Sequence, residues 1–138
     1  MPDPISIITL AASIVATCYD YGCKAADAPD EAQRLASEIS NLSGVLVGIH
    51  GLWKDHETEL IQLNLPTALI DCESYLNRVK AQLESHIPRA GRSRSERLRG
   101  RLTWPLKRQD TLELLHIIER HKSTLSLILE SFMSWVVV

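Results

Sequence analysis

Apolar residues recur along most of this chain with the period of a helix rather than that of a strand. Leu35, Ile39, Leu42, Leu46, Ile49 and Trp53 step by four and three residues. This is a heptad-type seam, and it predicts a helix from about Asp30 to Lys54 with one side in a bundle. Leu69, Cys72, Leu76, Val79 and Leu83 repeat the step and predict a helix that begins near Pro66 and stops before Pro88. Leu115, Ile118, Lys122, Leu125, Leu129 and Phe132, flanked by Leu112, Ile117 and Ile128, predict a last helix that opens at Trp104-Pro105 and reaches Trp135. No segment of strand period and no internal repeat interrupts these seams.

The first helix has a different pattern. Asp3 is a good N-cap and Pro4 suits the first helical position. From there to about Gly22, Ile5, Ile7, Ile8, Leu10, Ala11, Ala12, Ile14, Val15, Ala16 and Cys18 occupy nearly every face. A helix apolar all round is expected at the centre of a bundle or in lipid. Pro4 to Tyr19 is a run of 16 residues without a charge. It would span roughly 24 Å at 1.5 Å per residue, short of a hydrocarbon core of about 30 Å. Ser6, Thr9, Ser13 and Thr17 interrupt it with hydroxyls that can bond within the helix or line a water-filled pore. The flank Met1-Pro2-Asp3 lacks the basic residues that precede a secretory signal.

These elements predict one all-α domain over residues 1–138, an up-down bundle of four to five helices with a hydrophobic N-terminal helix. Short connections favour antiparallel neighbours among the first three helices. Gly44, Gly48 and Gly51 lie inside the second helix, where each costs about 1 kcal/mol relative to Ala, so a close neighbouring backbone or a bend is expected there. The final Trp135-Val136-Val137-Val138 carries no helix terminator, and a further module is expected beyond it.

With aromatic residues at only 5%, the core must be aliphatic. Charge adds a second feature. Arg89, Arg92, Arg94, Arg97, Arg99, Arg101, Lys107 and Arg108 stand against the single acid Glu96, while the whole chain has a formal charge of −2. One strongly basic patch thus sits in an otherwise acidic chain. It overlaps residues 86–103, a Gly-, Ser- and Arg-rich stretch expected to be a loop. Either it is a solvated loop, or it meets anionic lipid, where each basic residue contributes about 1 kcal/mol. Nucleic acid is not expected, because the stretch lacks interleaved aromatics and the pI is 6.2. Cys18, Cys23 and Cys72 are odd in number and form no CxxC, which predicts reduced thiols in a cytoplasmic protein, with Cys18 and Cys72 in the core. No phosphate-binding loop or nucleophile elbow occurs. His116 and His121 are five apart, off the shared face that a metal pair needs. No enzyme activity, metal or cofactor is expected.

Three segments carry a family resemblance. The start, Met1-Pro2-Asp3-Pro4-Ile5-Ser6-Ile7-Ile8-Thr9-Leu10-Ala11-Ala12-Ser13-Ile14-Val15-Ala16-Thr17, resembles the N-terminal domain of fungal NOD-like (STAND) receptors. So does Glu38-Ile39-Ser40-Asn41-Leu42-Ser43-Gly44-Val45-Leu46. The third is Leu102-Thr103-Trp104-Pro105-Leu106-Lys107 with the stretch from Ile117 to Leu127. Their order and spacing cover nearly the whole chain and are similar to the HeLo-like group of fungal cell-death domains. The resemblance implies a helical bundle that executes programmed cell death and heterokaryon incompatibility. It implies self-association driven by an activating module in the same or a partner protein, and movement from cytoplasm to plasma membrane. The N-terminal helix, with Asp3, Ile5, Ile7, Ile8, Leu10, Ala11, Ile14 and Val15, would then enter the membrane. The basic loop, with Arg89, Arg92, Arg94, Arg97, Arg99 and Arg101, would meet anionic lipids. A non-lytic oligomerisation or signalling module of such a receptor is the alternative.

Overall fold

The structure is a computed structural model that describes residues 3–24, 29–84 and 106–136. The three heptad seams and the apolar N-terminus become α1 (Pro4–Lys24), α2 (Pro29–Trp53), α4 (Leu65–Glu84) and α5 (Arg108–Val136), and a short α3 (Glu57–Gln62) lies between α2 and α4. No strand occurs among the described residues, so the chain is an all-α bundle. The core is aliphatic as the composition demands. Leu35, Ile39, Leu42, Leu46 and Ile49 of α2 and Leu69, Cys72, Leu76, Val79 and Leu83 of α4 are all fully buried.

Cross-bundle contacts fix the arrangement. Thr111 meets Glu31 and Lys122 meets Glu38, so α5 and α2 run parallel. Ser6 meets Glu73 and Tyr21 meets Leu83, so α1 and α4 also run parallel. Asp71 lies with His121 and Thr124, and Gln82 with Asp110, so α4 and α5 are antiparallel. It follows that α1 and α2 are antiparallel. Successive long helices alternate in direction, yet α1 touches α2 and α4 but not α5, and α2 does not touch α4. The order round the bundle is α1, α2, α5, α4.

This corrects the expectation that the second and third long helices are neighbours; they are diagonal. The cause is α3, which carries the chain across the bundle end and touches α2, α4 and α5. Leu60 anchors it in the core. Asn64 then turns the chain into α4 with φ 64°, a left-handed conformation that Asn tolerates better than most residues.

A second correction concerns α1, which is not central. It occupies a corner, and only one stripe of it is buried: Ile7, Ala11, Ile14, Cys18 and Tyr21. The last-helix seam also needs amendment. Leu112 is exposed, and Lys122 lies at a seam position but turns its ammonium outward to Glu119 at 2.9 Å and Glu38 at 3.9 Å. Among the described residues that helix starts at Arg108, and Trp104-Pro105 lies outside them. The α2 glycines meet no close backbone. A Cβ at Gly44 or Gly51 would touch nothing within 4 Å, and one at Gly48 would reach only Leu129 Cδ2 at 3.6 Å. The α2 helix runs unbroken through all three.

Candidate functional site

α1 begins where the sequence places it. The Ile5 N–H donates to Asp3 Oδ1 at 3.0 Å, an N-cap bond that satisfies one of the free donors of the first turn. Hydroxyls in the helix turn back onto its own backbone. Ser6 Oγ donates to the Asp3 carbonyl at 2.8 Å, Thr9 to Ile5 at 3.0 Å and Thr17 to Ser13 at 3.0 Å. Each hydroxyl so bonded is cheaper to take out of water than a free one.

The buried stripe leaves an opposite face. Ile5, Thr9, Ala12, Ala16 and Tyr19 are exposed, again at steps of four and three, with Ile5 at 49% and Tyr19 at 55%. Ile8 and Val15 flank this face and are half-buried, as is Leu10 on the other side. No charged residue lies between Asp3 and Asp20. α1 thus has two apolar faces, one in the core and one toward solvent. The window Pro4–Tyr21 is long and apolar enough to cross a membrane, and 33% of it is buried, a property that core helices of soluble proteins share.

The residues expected to enter a membrane therefore divide. Ile7, Ala11 and Ile14 face the core, Ile8, Leu10 and Val15 lie at its border, Ile5 points out, and Asp3 caps the helix. Of the outward residues, Thr9 was expected to bond within the helix or line a pore, while Ala12, Ala16 and Tyr19 were not counted among the membrane-entering side chains. The signal for them was the second four–three spacing through 5, 9, 12, 16 and 19, masked by the small size of its alanines. Arg89, Arg92, Arg94, Arg97, Arg99 and Arg101 lie outside the described residues.

Polar contacts among the described residues tie α1 to α4 at both ends. Tyr21 Oη donates to the Leu83 carbonyl at 2.7 Å, in the last turn of α4 where carbonyls lack helical partners. At the other end Glu73 Oε2 lies 3.4 Å from Ser6 Oγ.

The chain matches no family model, no curated protein and no solved structure. What it does must be read from its own surface and chemistry.

That chemistry is sparse. Among the described residues no three of His, Cys, Asp and Glu gather as a metal site. Burial pushes the Cys72 thiol up to about 12, leaving it protonated and unreactive at neutral pH. A cleft of about 290 Å³ between α4 and α5 brings Asp71, Arg120, His121 and Thr124 together. His121 stacks on Tyr75 there, with ring centroids 5.2 Å apart, and burial lowers its pKa against the opposing pull of Asp71. Tyr75 Oη is already used, donating to the Leu114 carbonyl at 3.2 Å. A second cleft, of about 300 Å³, lies where α2 and α5 begin. Asp30, Glu31, Arg34 and Arg108 line it with Thr111, which bonds Glu31 at 3.3 Å. Mixed charges that offset one another give neither cleft a preferred sign of ligand.

Proposed function

We propose that this chain is a non-enzymatic, membrane-permeabilising effector domain of fungal programmed cell death, with α1 as its membrane-active element. The observation that supports this reading is the outward face of α1, uncharged from Ile5 to Tyr19 and apolar on the side opposite its buried stripe. An ordinary surface helix places charged residues on that side. The resting domain keeps Ile7, Ala11, Ile14, Cys18 and Tyr21 in its core and remains in the cytoplasm. Activation by self-association, driven by a module of the same or a partner protein, frees α1 for the plasma membrane. Arg89 to Arg101 would meet anionic headgroups there, in keeping with the basic patch. No nucleic acid and no cofactor enters the scheme.

The test is dye release from anionic vesicles by the purified chain, alone and fused to a self-assembling partner. Ala12→Glu and Ala16→Glu are the informative variants, because both positions are exposed and the folded domain tolerates a charge there. An acidic residue in mid-bilayer costs about 2.5–3.5 kcal/mol on the insertion scale. Each variant is expected to keep its helical circular dichroism and lose at least tenfold in leakage. Leakage unchanged in both would remove α1 from the mechanism. Exposed Leu127, Met133 and Trp135 on the later turns of α5 favour the second reading, a non-lytic module that recruits partners through that helix. No leakage by the intact chain even when forced to oligomerise would select it.

A further inference from the structure

The uncharged surface extends beyond α1. The second half of α2, from Ile39 to Trp53, contains no Asp, Glu, Lys or Arg over 15 residues. At 1.5 Å per residue this tract spans roughly 22 Å, close to the roughly 24 Å of the uncharged tract in α1. The two helices are antiparallel neighbours, so the end of α2 lies beside the start of α1. Charges bound this shared band at both ends. Asp3, Lys54 and Asp55 stand at one, and Asp20, Arg34 and Glu38 at the other. The outward residues of α2 in the band are Ser40, Asn41, Gly44, Val47, Gly48, His50 and Gly51, with Val47 at 54% exposure; His50 sits near the Lys54 end and Ser40 and Asn41 near the Glu38 end. Among the described residues nothing comes within 4 Å of a Cβ placed at Gly44 or Gly51.

Polar contacts divide the bundle along the same line. Ser6–Glu73, Tyr21–Leu83, Thr111–Glu31 and Lys122–Glu38 all join α1 or α2 to α4 or α5. Among the described residues α1 and α2 form the most extensive helix pair. Releasing α1 alone would break its packing with both α2 and α4, whereas releasing the pair leaves the α1–α2 packing intact.

We propose that α1 and the second half of α2 enter the bilayer together as a helical hairpin, the uncharged band meeting the hydrocarbon and the flanking charges the headgroups. This rests on the reading of α1 as the membrane-active element and adds α2 to it. The charge pattern argues for lipid as the occupant. A band of two helices without charge, bounded by charge on both sides, has the polarity profile of a bilayer leaflet-to-leaflet section, although its length requires some thinning of a core of about 30 Å.

The test places charges on α2 alone. Gly44→Glu with Gly51→Glu adds two acids at positions open to solvent, so the fold is retained. Ser123→Glu with Ser131→Glu, exposed on α5 and outside the α1–α2 pair, is the control for net charge. Leakage from vesicles of phosphatidylcholine and phosphatidylserine is expected to fall at least tenfold for the α2 variant and to stay within twofold of the parent for the control. Gly44→Ala with Gly51→Ala is expected to leak as much as the parent or more. If Ala12→Glu abolishes leakage while the α2 glutamates do not, α1 acts without α2 and the hairpin is overturned, the α1 reading standing. If the intact chain does not leak in any form, both fall together. Sedimentation of the lipid-free protein separates the remaining case: a dimer dissolved by the α2 glutamates would make this face a contact between copies and overturn lipid as its occupant.

Discussion

Replacing Ile14 by Ala measures how firmly α1 is held. Ile14 is midway along the buried stripe and wholly inaccessible to solvent. The substitution removes three carbons, and at about 0.8 kcal/mol each their loss from the core accounts for about 2.4 kcal/mol. The cavity left in a packed interior raises this into the range of about 2–5 kcal/mol. Ile5, half-exposed on the same helix, loses the same atoms from a site that water already reaches, so Ile5→Ala should cost about 1 kcal/mol or less. Leu10 is half-buried and falls between them, not at the level expected of a central helix. All three changes gain slightly in helix propensity, which leaves their order intact. Urea unfolding followed by circular dichroism, with the slope m unchanged across the set, gives the three values. Equal losses at Ile5 and Ile14 would refute the corner placement of α1. Leakage supplies a second readout. A domain of this size holds about 5–15 kcal/mol in all, so weakened docking of α1 should raise leakage by the unactivated chain.

Three further outcomes follow from single sites. Gly44→Ala and Gly51→Ala should each raise stability by about 0.5–1 kcal/mol, since helix propensity improves and the new methyl meets nothing within 4 Å; a lower urea midpoint at either would reveal an unseen neighbour. Burial holds the His121 pKa below its ordinary 6.5, so its contribution to stability is complete above that value and is lost as pH falls through 6.5 toward the folded pKa. His121→Gln should flatten the mildly acidic part of the stability profile, and identical slopes in the two proteins would contradict the burial. Cys72, with its thiol pushed up to about 12, should resist a thiol reagent at mildly alkaline pH in a Cys18→Ala/Cys23→Ser background and react only as fast as the protein unfolds; rapid reaction of the folded protein would show that the core around α4 opens.

The long helices were legible because their core positions are large aliphatic residues at strict spacing. All five aliphatic positions of the α2 seam before Trp53, and all five positions of the α4 seam, are buried. What failed was the inference from apolar composition to central position in α1. Ala12 and Ala16 count as apolar in a wheel but contribute little area, so a corner helix with one buried stripe looked uniformly hydrophobic. The stripe itself, Ile7, Ala11, Ile14 and Cys18, has the same four–three spacing as the other seams and was available. α3 was missed because six residues with one buried leucine carry no period. Helix order was lost with it, since the diagonal path from α2 to α4 depends on that crossing. The three glycines were read correctly as unusual, but the close packing expected of them does not exist within the bundle.

An uncharged hairpin that leaves a bundle creates a debt on the other side. Leu69, Cys72, Leu76, Val79 and Leu83 of α4, with Leu115, Ile118, Leu125 and Phe132 of α5, would lose the side chains that now cover them. At about 1.5–3 kcal/mol for each large apolar side chain, their full exposure to water would cost about 12–24 kcal/mol. That matches or exceeds the whole stability of a domain this size. The hairpin itself loses little by comparison, because its core stripe moves from one apolar medium to another. An isolated molecule is therefore held shut by α4 and α5 rather than by α1. Opening becomes feasible when another copy, already brought close by an activating module, covers those faces as they are bared. On this reading self-association and membrane entry are two halves of one step, and the polar links Ser6–Glu73, Tyr21–Leu83, Thr111–Glu31 and Lys122–Glu38 mark the seam along which it occurs.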